Sequence, residues 1–270
     1  MSELARRLLG LPEAASSHAS VVDATLGWVH LLAIGLFAVW GVVLGVALWR
    51  FGRRSRRADA VPAPGARLPL AAEVAVVVAE AALLLGLSVP LVGELLDARR
   101  PLDDDAFTVR VVARQYAWLV HYPGPDGVFG PSDPARVDPA TNPLGLERSA
   151  PGAADDVVTT NQLHLVVDRP TVVHLTSRDV VHGFHLAELR VQQDAIPGFT
   201  FPVRFTPTVT TEAMRARLGR DDFGYEIACA QLCGIGHHRM RGFLTVHTRD
   251  GFAAWMAGQQ ELLGVDDFWS

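Results

Sequence analysis

The sequence predicts an α+β membrane protein: a two-helix transmembrane hairpin followed by an outer β-barrel or sandwich. Three observations predict it. Two long apolar stretches fall within the first hundred residues. A strongly basic segment separates them. The remainder reads as short strands broken by turn residues, without intervening helices. Hydrophobic residues make up 49% of the 270, with a mean hydropathy of +0.21, which is high for a soluble protein. The net charge of −5 is mild and gives no sign of nucleic-acid binding. All 24 basic residues are Arg, which with the Ala, Gly and Val content points to a GC-rich bacterial genome.

Residues 1–23 read as an outer N-terminal lead. Arg6 and Arg7 precede Leu8, Leu9 and Leu11, but the apolar run stops at Pro12-Glu13, too short for a signal-peptide core, so the lead is expected to be uncleaved. Residues 24–49 form the first transmembrane helix. From Ala24 to Trp49 there is no charged residue, enough chain to cross roughly 30 Å of hydrocarbon. Trp28 and Trp49 near its ends suit the membrane–water interface. His30 inside the span reads as a packing residue.

Residues 50–69 form a loop with Arg50, Arg53, Arg54, Arg56, Arg57 and Arg67 against Asp59 alone. The positive-inside rule makes it cytoplasmic. Pro62 and Pro64 bar a continuous helix. Residues 70–96 form the second transmembrane helix, interrupted by Glu73 and Glu80 on one helical face. Carboxylates in a bilayer are costly and face protein or water. Glu73 sits at the cytoplasmic interface or beside a proton route; Glu80 packs against a partner subunit or shares that route. Two spans joined by an inside loop return the chain to the outside, and Asp103-Asp104-Asp105 marks the exit.

Residues 106–250 read as the outer β domain. Strands are expected within Phe107–Tyr122, Gln162–Val167, Thr171–Ser177 and Phe243–Thr248. A Pro-, Gly- and Asp-rich insert at 123–158 lies between the first two. Residues 251–270 read as a closing helix, with Trp255 and Leu262 to pack down.

The chemistry concentrates in Cys229-Ala230-Gln231-Leu232-Cys233-Gly234-Ile235-Gly236-His237-His238-Arg239-Met240. Two thiols, two imidazoles and a thioether are soft and borderline ligands, a set that copper prefers. A mononuclear blue-copper site needs one Cys; a second allows two bridging thiolates and hence two metals. His237 and Met240 supply two terminal ligands, and a further His must come from His182 or His185. Zinc prefers four Cys or His ligands and has no use for Met. A simple disulfide leaves His237 and Met240 unexplained.

This motif, with Asp179-Val180-Val181-His182 and Gln193-Asp194-Ala195-Ile196-Pro197-Gly198 upstream, resembles subunit II of the haem–copper respiratory oxidases, the cytochrome c oxidase type. The family signature is C-x-E-x-C-G-x-x-H-x-x-M around a dinuclear copper centre, CuA. The resemblance implies a cupredoxin-like outer domain. It implies that Cys229 and Cys233 bridge both coppers, that His182, rather than His185, and Met240 complete one, and that His237 and the backbone carbonyl of Gln231 complete the other. It implies electron input from cytochrome c near Tyr116 and Trp118 and transfer to haem in subunit I, where oxygen is reduced; the catalytic site is not in this chain. Glu73 resembles the acidic residue at the mouth of a proton channel. Asp179 and Asp194 are candidates for docking a basic donor.

Two departures stand out. Gln231 occupies a position where the family commonly has Glu, so magnesium at the subunit I contact is left open. Tyr116 stands where a Trp is typical. The partners implied are subunit I, other oxidase subunits, cytochrome c and membrane lipid, with no nucleic acid. The location implied is the bacterial plasma membrane, with the C-terminal domain on the periplasmic face. Rival readings are a quinol-oxidase subunit II that has lost its copper, disfavoured by the complete ligand set, and a membrane-anchored copper carrier, disfavoured by the hairpin. The copper domain of nitrous-oxide reductase is excluded by the hairpin and the chain length.

Overall fold

A computed structural model describes residues 6, 8–52, 67–96 and 105–266. The chain divides into two compact units, one of residues 1–11 and 20–94, the other of residues 12–19 and 95–270. Arg53, Arg54, Arg56 and Arg57 of the basic loop and Asp103-Asp104 lie outside the described residues.

In the first unit, α1 spans Ala19–Gly52. Its Leu31, Ile34, Phe37, Trp40 and Val43 are all exposed. Apolar side chains exposed around a helix in this way suit a lipid environment. The imidazole of His30 bonds the Leu26 carbonyl through Nδ1 at 2.7 Å, so its polarity is satisfied within the helix. The second apolar helix runs as α2 (Arg67–Leu83), a π-helical turn (Leu84–Ser88) and α3 (Val89–Leu96). The turn has a local cause. Pro90 has no N–H to continue the ladder, and its ring crowds the carbonyl four residues back. The Val89 N–H reaches five residues back, to Leu84 O. Glu73 and Glu80 are exposed on α2.

The second unit is two five-stranded sheets. The first has the order β3-β2-β1-β5-β8, from β1 (Phe107–Arg114), β2 (Ala117–Tyr122), β3 (Val157–Thr160), β5 (Thr171–Ser177) and β8 (Phe201–Phe205). The second has the order β4-β10-β9-β6-β7, from β4 (Gln162–Val166), β6 (His182–Leu186), β7 (Val191–Ala195), β9 (Tyr225–Cys229) and β10 (Arg241–His247). Parallel pairings β1–β5 and β4–β10 join antiparallel ones. The segment 107–122 is thus not one strand but a hairpin turning at Gln115-Tyr116. In β1, Val109, Val111 and Ala113 point into the core while Arg110 points out. Trp118, Tyr122, Phe184, Tyr225, Leu163 and Leu175 fill the space between the sheets, all fully buried. Pro202 is tolerated because β8 is an edge strand.

Every residue of β2 is buried, so no alternation shows there. The insert is the reason. Its Phe129 ring lies 5.0 Å from His121, and His121 Nε2 is 2.6 Å from Asp156 Oδ2, which also accepts the Gly130 amide. The insert therefore covers the outer side of β2.

A helix over Thr211–Leu218, α4, is not foreseen by the sequence pattern; Thr210 caps it by accepting the Ala213 amide, and Gly219 ends it at φ 64°. The closing helix, α5, spans Arg249–Asp266. Trp255 stacks on His164 at 4.0 Å. Leu262 does not pack down: it is exposed, and Leu263, one residue on and so on the adjacent face, meets the core instead. Residues 12–19 form a strap on the β domain. The Ala15 amide donates to Glu188 O, Ser16 Oγ to Leu189 O at 2.6 Å, and the Ser17 amide to Thr206 O.

Candidate metal centre

Strands bring the centre's residues together from distant parts of the sequence. β9 ends at Cys229, and the loop to β10 carries Cys233, His237 and Met240. β6, hydrogen-bonded beside β9, starts at His182. Gly183 makes the approach possible: a Cβ there would lie 2.8 Å from the Gln231 amide nitrogen. The Ala230 amide closes the contact by donating to Gly183 O at 2.8 Å.

The potential ligand atoms converge. His182 Nδ1 lies 3.1 Å from Met240 Sδ and 3.9 Å from Cys229 Sγ. The two Sγ atoms are 3.7 Å apart and both thiols are free. Cys233 Sγ is 3.6 Å from His237 Nδ1 and 3.8 Å from Met240 Sδ. The Gln231 carbonyl oxygen is 3.2 Å from Cys229 Sγ, while its side chain is exposed. Among the described residues, His182, Cys229 and Cys233 are the single group of three His, Cys, Asp or Glu side chains close enough to share an ion. His182, Cys233 and Met240 are buried; Cys229 and His237 are partly so. Burial, then the neighbouring Cys229 thiol, pushes the Cys233 thiol up to about 11. A cation binding here therefore displaces protons.

Asp179 holds the arrangement from behind. Its Oδ1 is 2.8 Å from His182 Nε2, and its Oδ2 accepts the Gln115 amide at 2.7 Å. Partial burial works to raise this carboxyl, yet the hydrogen bonds from His182 and from the Gln115 and Val180 amides hold it below the usual carboxylate range. Gln115 also donates through Nε2 to Cys233 O at 2.6 Å. The β1–β2 turn is thereby bonded to both loops of the centre. Sequence reasoning missed these links, although the three-residue spacing of Asp179 and His182 was a usable signal.

The other candidates fall in different places. Tyr116 is 40% exposed, and its ring lies against Gly234 and Gly236. Trp118 is fully buried, with its ring 6.2 Å from that of His182 in an edge-to-face arrangement. Asp194 lies on β7 opposite Gly183 and is half-buried. His185 points away, with Nδ1 buried and unpartnered. Glu73 belongs to the helical unit. Leu232 and Ile235, flanking Cys233, are 77% and 93% exposed.

Residues 107–246 match the family model described as cytochrome c oxidase subunit II, periplasmic domain. The alternative cytochrome c oxidase subunit 2 of Bradyrhizobium diazoefficiens is 34% identical over 162 residues, covering 60% of this chain and 54% of that protein. The chain thus spans about half the length of that relative. Cytochrome c oxidase subunit 2 of Thermostichus vulcanus is 25% identical over 272 aligned positions, 93% of this chain and 79% of that one. The crystal structure of the periplasmic domain of cytochrome oxidase subunit II from Bradyrhizobium japonicum is 23% identical, with a TM-score of 0.40, and covers 60% of this chain and 98% of that one. With more than half of its length matched by the family model, this chain belongs to the cytochrome c oxidase subunit II family.

Proposed function

We propose that this chain is the electron-accepting subunit of an aerobic terminal oxidase, taking electrons from cytochrome c at a dinuclear copper centre and passing them to haem in subunit I. The observation that carries the reading is the convergence of two free thiols, two imidazoles and a thioether at one end of the β domain. This donor set fits copper: its sulfur atoms are soft, and the 3.7 Å between the thiols is far wider than the roughly 2.05 Å of a disulfide. Cys229 and Cys233 would bridge the two coppers, with His182 and Met240 completing one and His237 and the Gln231 carbonyl the other. Bound there, the copper pair supplies reversible one-electron carriage.

The chain's own residues set the conditions for this. Asp179 fixes the tautomer of His182, so that Nδ1 faces the sulfur atoms. Gln115 ties Cys233 to the β1–β2 turn. Trp118, Met240 and the surrounding core keep the buried side of the centre dry. Tyr116, Leu232 and Ile235 form the outer rim where a donor would approach, and the buried Trp118 ring is 6.2 Å from that of His182. Asp179 is already committed to His182, which leaves Asp194 as the freer of the two docking carboxylates. A magnesium ion at the subunit I contact would find a neutral amide in Gln231.

The domain plan proposed is a lead at 1–23, spans at 24–49 and 70–96 around a cytoplasmic loop at 50–69, a periplasmic copper domain at 106–250 and a helix at 251–270, in a bacterial plasma membrane. One feature supports the topology independently: the strap before α1 and the chain after α3 belong to the same β unit, as two crossings require. The test is oxidation of reduced cytochrome c by the assembled oxidase, wild type against Tyr116→Ala and Glu73→Gln, at several ionic strengths. Slower electron input with Tyr116→Ala and slower turnover with Glu73→Gln are expected. Unchanged rates in both would remove the electron route and the proton route respectively.

A further inference from the structure

The outer face of the first sheet carries a groove of about 460 Å³ that the copper reading does not use. Thr108, Arg110, Phe129, His174, Thr176 and Thr200 line it. Arg110 and His174 are direct partners across the β1–β5 pairing, so their side chains leave the sheet on the same side. Arg204 stands on the same face of the neighbouring strand, opposite Val172, two positions along β5 from His174.

These three side chains are rich in donors and short of acceptors. Among the described residues, Arg110 is held over the Phe129 ring at 4.1 Å, and none of the three has a hydrogen bond or close ion pair to a protein acceptor. Arg204 Nε is buried and unpartnered. The carboxylate that Arg110 feels is Asp156, whose Oδ2 pairs with His121 Nε2 and the Gly130 amide while its Oδ1 stays buried beneath the insert, without a hydrogen bond to Arg110. The groove lining itself contains no acid. Partial burial lowers the titration of Arg110, and that of His174 is lowered by burial and then by Arg110 and Arg204. Two guanidiniums and an imidazole on one face, with Asp156 beside Arg110, leave a surplus of positive charge, and an anion relieves their mutual repulsion.

We propose that this groove binds a small doubly charged oxyanion of the phosphate or sulfate class, with Arg110 and His174 as principal ligands and Arg204 in support. The planar fork of a guanidinium matches two oxygens of such an anion. Arg110 Cζ sits over the Phe129 ring, which offers no oxygen acceptor, so the guanidinium donors remain for the ligand. The insert thereby gains a role, since it supplies Phe129 and closes one wall of the groove. The anion could arrive free or as a lipid headgroup phosphate.

The test uses the full chain in phosphatidylcholine nanodiscs, titrated with inorganic phosphate and with sulfate at ionic strength held constant by chloride. A saturable rise in melting temperature is expected. Arg110→Gln should weaken binding at least tenfold, while Arg136→Gln, on the insert but paired with Glu147, should not. Sulfate binding should tighten as pH falls and His174 takes up its proton, and His174→Gln should flatten that trend. In phosphatidylglycerol nanodiscs a lipid source would show as a stability already raised, dependent on Arg110 and insensitive to added phosphate. Circular dichroism confirms that each variant is folded. An equal response to chloride alone, a response kept by folded Arg110→Gln, or no response in either lipid would overturn the proposal.

Discussion

Asp179 and His182 are joined by a 2.8 Å contact between Oδ1 and Nε2, and the opposite nitrogen of the same ring faces Met240 Sδ at 3.1 Å. A carboxylate behind an imidazole fixes which nitrogen is presented in front. Asp179→Asn keeps the shape but removes the charge and the acceptor preference. Copper affinity of the full chain should fall about 10- to 100-fold, read by competition with a chelator. An unchanged affinity would show that the ring is positioned by packing alone.

The ligand loop is shaped by glycine at close quarters. A Cβ at Gly236 would lie 2.6 Å from the Tyr116 ring, whereas one at Gly258 in α5 would meet nothing within 4 Å. Gly236→Ala should destabilise the β domain by about 1–3 kcal/mol. Gly258→Ala should instead add about 0.5–1 kcal/mol, because it removes a helix-interior glycine. Thermal unfolding of both variants checks the contrast; equal effects would contradict the packing described.

Much of this was legible in the sequence, and what was missed has physical reasons. The two apolar spans and the Cys229–Met240 loop stand out because their signals are local. β6 to β9 did not, being five residues each with Gly183, Pro202 and charged positions that dilute any alternation. β2 lost its alternation because the insert covers its second face. The links from Asp179 and Gln115 into the centre depend on which loops meet, which spacing along the chain does not encode. Leu262 and Leu263 show the limit of a helical pattern read without its partner surface.

His164 makes stability pH-dependent. Burial first, then the adjacent His247 whose Nε2 lies 2.8 Å from its Nδ1, lowers its pKa to about 4 from an ordinary value of 6.5. The unfolded chain therefore binds this proton between pH 6.5 and 4 while the folded chain does not. The contribution is complete above pH 6.5 and is lost as pH falls toward 4. The melting temperature of the full chain should drop across that window, and the drop should be smaller in His164→Asn. A parallel pH profile in the variant would assign the loss to other groups.

The strap over residues 12–19 should matter to the β domain. Ser16→Ala deletes the buried hydrogen bond to Leu189 O and should cost about 1–2 kcal/mol. A fragment beginning at residue 105 lacks the strap altogether and should melt below the full chain. Equal melting temperatures would show that the strap is passive.

The most direct test of the central claim is spectroscopic. The full chain, reduced, loaded with copper in detergent and examined by EPR and visible–near-infrared absorption, should give the signal of one unpaired electron shared over two coppers, and Cys229→Ser should abolish it. A single-copper signal, or a colourless protein in which Cys229 and Cys233 remain bonded to each other under every loading condition, would contradict it.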